Sequence, residues 1–298
     1  MNRDQTDGVS SNVPLGMLLG LVGVIIFGGT VPATRLAVLE LEPWFVTFGR
    51  AAIAGFIGVG LLFVFKKNLP RKLWVRCFLG GLCLVIGFPG FLAIALQTVP
   101  AAHSGVVLGL LPITTAVLAV IFAGERPSVA FWVWSSLGAI LILVFTFRDG
   151  VPGFVLGDLW LLCATLSASL GYVISGALSR EKPGWEVICW QLVLTSPLVL
   201  VGVYLFWDNA VFTAALPAQL GFVYVSLFSM LLGFFTWNAG LALGGIARVG
   251  QIQLLQTFVT IFIAALVLGE VVSFETYGFA LLIVLTIFFT QRARIIVN

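Results

Sequence analysis

The chain has 298 residues, of which 60% are hydrophobic and only 9% are charged, and its formal net charge is +3. A soluble domain of this length carries about 25% charged residues, so these charges are too few to cover a water-facing surface. Together with a mean hydropathy of +1.15, the composition excludes an ordinary soluble domain and predicts a membrane protein.

Hydropathy along the chain predicts ten membrane spans joined by short loops. Each span has about 20 residues or slightly more, the length that an α-helix needs to cross a hydrocarbon core of about 30 Å. Backbone groups in lipid must be satisfied within the structure, so we expect the spans to be helices. The expected fold class is an all-α polytopic membrane protein with spans at residues 14–38, 43–65, 73–97, 101–122, 128–147, 153–178, 183–206, 217–243, 247–268 and 273–291.

The basic residues predict the orientation of these spans. Residues 1–13 are polar, and the apolar run after them is too long for the core of a cleavable signal peptide, so we expect a retained first span. Positively charged residues collect on the cytoplasmic side of membrane proteins. If the tails 1–13 and 292–298 are both cytoplasmic, in a cell (inner) membrane, the inner side holds Arg3, Lys66, Lys67, Arg71, Lys72, Arg76, Arg126, Arg180, Lys182, Arg248, Arg292 and Arg294.

The chain also carries an internal repeat. Residues Ala102–Ser128 align with Ala247–Ser273 at a constant offset, which places Gly124-Glu125 on Gly269-Glu270. The two copies span residues 14–147 and 153–291 and hold five spans each. Because five is odd, the second copy enters the membrane from the opposite side, which is the inverted repeat common in secondary transporters. Chance matching of apolar sequence is the alternative explanation.

Several of these segments resemble one transporter family. The stretch from Leu111-Pro112 to Glu125-Arg126-Pro127 is similar to the proline-to-GER signature of the EamA-type drug/metabolite transporter superfamily. Further matching segments are Phe27 to Thr30, Pro43 to Arg50 and Ala95-Leu96, whereas the second copy departs at Thr257 and Val271. The resemblance implies ten helices in two halves. The interior, rich in aromatic residues and without acids, is most similar to bacterial amino-acid exporters of the YddG kind.

One polar stripe lies on span 9. Gln253, Gln256, Thr257 and Thr260 occupy positions i, i+3, i+4 and i+7, which lie on one face of a helix. Amide side chains dissolve poorly in hydrocarbon, so this face is predicted to meet either protein or a wet cavity. Interhelical hydrogen bonds are the alternative, each contributing about 0.6 kcal/mol on average. The repeat favours a cavity, because the equivalent face of span 4 holds Pro112 and Thr115.

Other polar or aromatic residues are candidates for the same substrate-binding cavity. Small residues in this set could equally serve close helix packing, and a tryptophan could belong to an interfacial belt. The candidates are Ser169 and Tyr172 in span 6, Trp237 and Asn238 in span 8, Thr115 in span 4 and Thr30 in span 1.

Glycine and proline at mid-depth predict kinks. Proline removes a backbone donor and clashes with the preceding turn, and broken helices frequently line binding sites in transporters. The candidate hinges are Gly87, Pro89 and Gly90 in span 3 and Pro112 in span 4. A purely structural kink fits them equally well.

Titratable residues inside the spans are rare. Arg50 lies in the outer half of span 2, where a structural anchor on carbonyls or an outer acid is favoured over substrate contact. His103 and Asp158 are the plausible members of a proton relay, although a lone histidine at a helix entrance is more often structural. No Asp or Glu lies near the centre of a span, so we expect facilitated transport with weak dependence on a pH gradient.

These observations favour a secondary transporter that exports neutral or aromatic amino acids, or similar small metabolites, by alternating access. The resemblance implies a cavity formed by spans 1, 3, 4, 6, 8 and 9. The alternatives are a nucleotide-sugar or triose-phosphate carrier, which should show two or more basic residues facing the cavity, and a membrane enzyme or receptor. We expect no enzymatic activity, cofactor or metal, and no nucleic-acid partner. The expected partners are a small-molecule substrate and the bilayer, with a monomer or weak homodimer as the assembly.

Overall fold

The computed structural model describes residues 12–98, 107–147, 156–268 and 274–297. Within these ranges the chain is helical apart from loops and one pair of three-residue strands, so the all-α prediction is confirmed. Eight helices are long and apolar enough to cross a membrane, and two shorter apolar helices accompany them. The ten-span count stays a prediction, because two of the ten helices are shorter than a full membrane span in the described residues.

The α-helices and strands follow in chain order as α1 Val13–Gly28, α2 Thr30–Val38, α3 Pro43–Val64, α4 Arg71–Gly81, α5 Phe88–Thr98, α6 Leu111–Ala123, β1 Glu125–Pro127, α7 Val129–Phe147, α8 Leu156–Leu178, α9 Gly184–Leu205, α10 Leu216–Tyr224, α11 Gly233–Gly244, α12 Ile246–Gly250, α13 Gln256–Leu268, α14 Phe274–Arg292 and β2 Ile295–Val297. Two π-helical turns, Leu82–Gly87 and Val225–Leu232, and two 3₁₀ turns, Asn209–Phe212 and Gln251–Leu255, complete the described chain.

Several predicted spans are not continuous α-helices. Span 1 is divided at Gly29 into α1 and α2. Spans 3 and 8 each contain a π-helical turn, and span 9 begins with α12 and a 3₁₀ turn before α13. In span 4, α6 starts at Leu111 after a turn at residues 109–110. Irregular backbone of this kind is tolerated at membrane depth only where protein or a water-filled cavity satisfies it.

Facing glycines allow α1 and α11 to pack closely. Gly16 and Gly20 are one turn apart on α1, and Gly240 and Gly244 are one turn apart on α11. A Cβ added to Gly16 would lie 2.5 Å from the Gly244 nitrogen, and one added to Gly240 would lie 2.8 Å from the Gly16 carbonyl oxygen. Apolar side chains gain little from leaving lipid for another helix, so association depends on close approach, which small residues allow.

Other helices pack against one another in the same bundle. α3 packs along α9, α8 lies against α4, α5 and α6, and α7 packs on α14. The largest buried cluster lies between these pairs and contains Phe27, Tyr172, Phe234 and Trp237. The polar residues of the candidate site therefore surround an aromatic centre.

One end of the bundle carries most of the described basic side chains. Arg76 and Glu181 form an ion pair at 3.0 Å, and Lys182 lies 3.4 Å from the buried Glu186. Arg248 donates to the carbonyl of Ala293 at the same end. The loops that the orientation argument assigns to one side of the membrane are thus joined by direct contacts.

The opposite end is closed by acidic side chains that accept backbone hydrogen bonds. Asp208 accepts from the Glu42 amide at 2.8 Å, and Glu40 accepts from the Ala215 amide at 2.8 Å. These bonds fix the loop after α9 against the start of α3. Charges of opposite sign therefore mark the two ends of the bundle.

The glycine contact predicts a large difference between two identical substitutions. Gly240→Ala places a methyl group against the α1 backbone, and overpacking of this kind costs about 1–3 kcal/mol. Gly60→Ala meets no atom within 4 Å and gains helix propensity of up to about 1 kcal/mol. We expect a lower melting temperature of the detergent-purified protein for Gly240→Ala and an unchanged or higher one for Gly60→Ala. Equal melting temperatures would contradict the packing.

Candidate functional site

Side chains of the second half donate hydrogen bonds to backbone carbonyls beside the break in the first predicted span. α1 ends at Gly28 and α2 begins after Gly29. The Thr260 hydroxyl donates to the Gly28 carbonyl at 2.9 Å, and the Tyr224 hydroxyl donates to the Ile26 carbonyl at 2.8 Å. Thr260, a cavity candidate, therefore makes an interhelical hydrogen bond in this structure.

The predicted stripe on span 9 is divided by the change from 3₁₀ to α-helix. Gln253 lies in the 3₁₀ turn, is 7% exposed, and sits beside the Tyr172 hydroxyl. Gln256 and Thr257 open α13 and are only partly buried. No hydrogen-bond partner for either side chain is found among the described residues. The stripe thus contains one buried amide, Gln253, and one interhelical hydrogen bond, from Thr260. The side chains of Gln256 and Thr257 are partly exposed and have no described hydrogen-bond partner.

An aromatic cluster lies behind the stripe. Trp237 is fully buried and makes edge contacts with Phe27 and Tyr172, at centroid distances of 6.1 and 5.3 Å. Phe234 packs on Phe27 at 5.0 Å. Trp237 therefore lies in the core and not in an interfacial belt. Tyr172 is 4% exposed, so it is packed into this cluster and does not line open space in this structure.

Three further cavity candidates are buried, and two of them connect helices. The Asn238 amide donates to the Gly184 carbonyl at 3.3 Å and joins α11 to α9. Ser169 and Thr114 share a hydrogen bond of 2.6 Å between α8 and α6. Thr115 is fully buried, and its hydroxyl has no partner among the described residues. These polar side chains are enclosed between helices.

The candidate hinges in span 3 lie beside the first π-helical turn. The turn ends at Gly87 and continues without a gap into α5, of which Pro89 is the second residue. The wide turn leaves the Cys83 carbonyl within reach of the Ser167 hydroxyl, which donates to it at 2.9 Å. Gly90 faces the Trp44 ring. The predicted kink is therefore realised as a π-helical turn, a feature common at functional sites.

Pro112 plays a different part from the expected mid-helix kink. It is the second residue of α6, in the first turn, where a proline fits without disruption. Its carbonyl accepts from the Gln251 amide at 3.3 Å, and Gln251 in turn accepts from Ser135 at 2.9 Å. The change of backbone direction lies in the turn before α6.

Arg50 is buried with a single side-chain contact. Its Nη2 donates to the Ser229 hydroxyl at 3.1 Å, and the Thr30 hydroxyl donates to the same oxygen at 2.9 Å. Arg50 is 7% exposed, and its Nε has no partner. Neither a carboxylate nor a backbone carbonyl binds it among the described residues, contrary to the anchor that the sequence favoured.

The candidate relay residues are placed only in part. Asp158 is buried in the first turn of α8, near one end of its helix. His103 lies outside the described residues. The structure therefore does not join the two into one proton path.

Glu125 belongs to the proline-to-GER signature in the sequence, but its contacts could not be predicted from that signature. The Glu125 side chain is fully buried and accepts from the amides of Ile246 and Ala247 at 2.8 and 2.7 Å. Arg180 adds an ion pair at 2.6 Å. Gly245, with φ of +88°, turns the chain so that the amides opening α12 face the carboxylate. Glu125 therefore caps the first turn of predicted span 9.

This cap predicts a strong effect of charge removal at Glu125. Glu125→Gln keeps the shape but places an amide N–H₂ among donors, and breaking a buried pair of this kind costs on the order of 3 kcal/mol. Glu181→Gln makes the same change where the side chain is 41% exposed, where ion pairs contribute about 0–1 kcal/mol. We expect a marked fall in melting temperature for Glu125→Gln alone. A Glu125→Gln protein as stable as Glu181→Gln would refute the cap.

Comparisons with known proteins agree with this arrangement. The EamA-like transporter family matches the chain twice, over residues 14–147 and 155–292. The uncharacterized transporter YdeK of Bacillus subtilis is 42% identical over 93% of this chain and 97% of its own length. A WAT1-related chloroplastic protein of Arabidopsis thaliana is 24% identical over 85% of this chain and 64% of its own length.

A solved crystal structure superimposes on the chain with a TM-score of 0.77 and 21% identity, covering 93% of this chain and 98% of the other. At that identity the likeness shows the fold. The two family matches together cover almost the entire sequence, and the relatives named as transporters indicate a transporter and not an enzyme. The chain belongs to the EamA-like transporter family.

Proposed function

We propose that the protein exports neutral or aromatic amino acids, or similar small metabolites, across the cell (inner) membrane by alternating access. The observation that carries the proposal is the pair Gln256 and Thr257, two partly exposed polar side chains in the apolar helix α13 with no described hydrogen-bond partner. An unsatisfied amide facing lipid is unfavourable. A water-filled path beside α13, in which these groups contact a solute, accounts for their exposure.

The structure supports the inverted repeat on which alternating access rests. α6 and α13 begin at positions related by the offset that aligns Gly124-Glu125 with Gly269-Glu270. α5 and α11 begin at positions with that same offset, each directly after a π-helical turn. Two copies of one five-span unit explain why the irregular segments recur in this way.

The charges inside the bundle support a carboxylate-bearing or uncharged substrate over a sugar phosphate. Arg50 is the only buried lysine or arginine among the described residues. Phosphate recognition favours clusters of basic residues, and the nucleotide-sugar or triose-phosphate alternative would require at least two. The aromatic cluster of Phe27, Tyr172, Phe234 and Trp237 beside the path suits an apolar or aromatic substrate side chain.

The positions of the buried carboxylates support facilitated transport. Glu125, Glu186 and Asp158 lie at helix ends or in first turns, and proton-coupled carriers commonly place such groups within the membrane path. Metabolites made in the cell supply an outward gradient. A monomer, or a weak homodimer, is sufficient for this mechanism because one chain contains both repeats.

The open amide predicts a transport defect without loss of folding. Gln256→Leu removes a polar group that has no described protein partner, so we expect normal expression and melting temperature but lost or redirected counterflow of labelled leucine and phenylalanine in proteoliposomes. Gln251→Leu is the matched control, because Gln251 is fully buried and bonded to Ser135 and Pro112. It should lower stability by about 1–3 kcal/mol. Unchanged transport by Gln256→Leu would remove this residue from the path.

The grouping of basic residues at one end predicts the orientation. A reporter that is active only outside the cytoplasm should give no signal when fused after Asn298 and should be active when inserted after Asp208, which lies at the opposite end of the bundle. The positive-inside bias is the physical reason. The reverse pattern of activity would refute both the orientation and the direction of the repeat.

A further inference from the structure

The Arg50 guanidinium is a buried cation with unused donors. A guanidinium has five N–H groups in a fixed fork, and the structure shows one hydrogen bond, to the Ser229 hydroxyl at 3.1 Å. Its Nε is buried without a partner. A buried charge in a membrane protein is costly unless it is paired, so this arrangement favours a binding partner that the chain itself does not supply.

Three described acids at this end of the bundle accept hydrogen bonds from backbone amides. Glu42 accepts from the Phe45 amide at 2.6 Å, and Asp208 accepts from the amides of Glu42 and Ala210, both at 2.8 Å. Glu40 is bonded to the loop after α9. None of them forms an ion pair with Arg50. The positive charge therefore has no counter-ion among the residues that the structure describes.

Ser229 and Thr30 form a polar cluster with Arg50 that is rich in hydrogen-bond donors. The Ser229 oxygen accepts from both Arg50 and Thr30, and its own hydroxyl hydrogen has no acceptor among the described residues. The residue lies in the second π-helical turn, whose wider geometry commonly marks functional sites. Arg50 and Ser229 together offer several hydrogen-bond donors and almost no acceptor, which is the chemistry that binds an anion.

The cluster lies beside the chain break to which the polar stripe is bonded through Thr260. Thr30 follows the break at Gly29, and the Gly28 carbonyl before that break accepts from Thr260. Thr260 lies one helical turn from Gln256 on α13. An anionic group at Arg50 would thus belong to a molecule whose remainder extends toward Gln256 and Thr257.

We propose that Arg50, positioned by Ser229, is the carboxylate-binding group of the transport path and selects substrates with a single carboxylate. The proposal rests on the transport of small metabolites proposed above and names their common chemical group. The planar guanidinium matches a carboxylate with two parallel hydrogen bonds. One cation balances one carboxylate, whereas a phosphate dianion would call for a second basic group that the described cluster lacks.

The test compares solutes that differ only in the carboxylate. Wild-type protein in proteoliposomes should take up labelled L-phenylalanine or L-leucine by counterflow, and unlabelled phenylalanine should compete at least tenfold better than phenylalaninamide or phenethylamine. Arg50→Gln should reduce uptake at least tenfold and abolish the preference for the acid over the amide. Arg50→Lys should retain part of both. Arg35→Gln, the same change at an exposed position on α2, should behave as wild type.

A second measurement tests the inference even if the Arg50→Gln protein folds poorly. Ser229→Ala leaves the guanidinium in place but removes its described partner, so we expect a KM for phenylalanine raised several-fold with little change in maximal rate. Phenylacetate, a carboxylate without an ammonium group, should raise the melting temperature of wild type and should not raise that of folded Arg50→Gln. An unchanged KM and preference in Ser229→Ala would overturn the positioning of Arg50.

The outcomes separate this inference from the proposed function. Amino-acid counterflow with an undiminished preference for the acid in folded Arg50→Gln would overturn the role of Arg50 and leave the function standing. Arg50-dependent movement of phenylacetate without any movement of amino acids would overturn the amino-acid assignment and support the carboxylate site. Transport or thermal stabilisation only by solutes that lack a carboxylate would overturn the inference.

Discussion

The buried Glu125 carboxylate is the constraint on which the arrangement of the helices depends. It binds two amides that open α12 and the Arg180 side chain at the end of α8, while its own backbone follows α6. This carboxylate therefore holds three helices together at one end. Losing its donors would be costly, because a buried carboxylate without donors is strongly unfavourable. The left-handed Gly124 and Gly245 provide the two turns that bring these groups together.

The same principle operates at each interruption of a helix. The Gly28 carbonyl accepts from Thr260. The Ile26 carbonyl accepts from Tyr224 besides the Gly29 amide, and the Cys83 carbonyl accepts from Ser167 besides the Phe88 amide. In each case the irregular backbone belongs to the first half and the side chain to the second. Glu125 provides the reverse connection. Each half thus satisfies backbone groups of the other, and the requirement that polar groups be satisfied in lipid joins the halves into one unit.

The sequence predicted what depends on local pattern. Apolar length predicted the helices, which the structure shows. The internal repeat and the substrate contacts of Gln256 and Thr257 stay predictions. The sequence did not predict that Thr260 bonds to Gly28 or that Arg50 faces Ser229, because these contacts join residues distant in the chain. It placed a kink at Pro112, whereas the proline opens a helix. Proline is disfavoured in the interior of a helix, but it can lie before a break or in the first turn after it. The sequence alone does not distinguish these two positions.

The strand after α14 has a practical consequence. β2 pairs with β1, aligning Val297 with Glu125 and Ile295 with Pro127, and the Ser128 amide donates to the Arg294 carbonyl at 2.9 Å. An affinity tag or fluorescent protein attached beyond β2 is joined to a strand that pairs with β1, which contains Glu125. The Glu125 carboxylate holds three helices together. Pulling, trimming or crowding that tail acts on the junction itself, so a protein labelled there should be compared in melting temperature with the unlabelled chain.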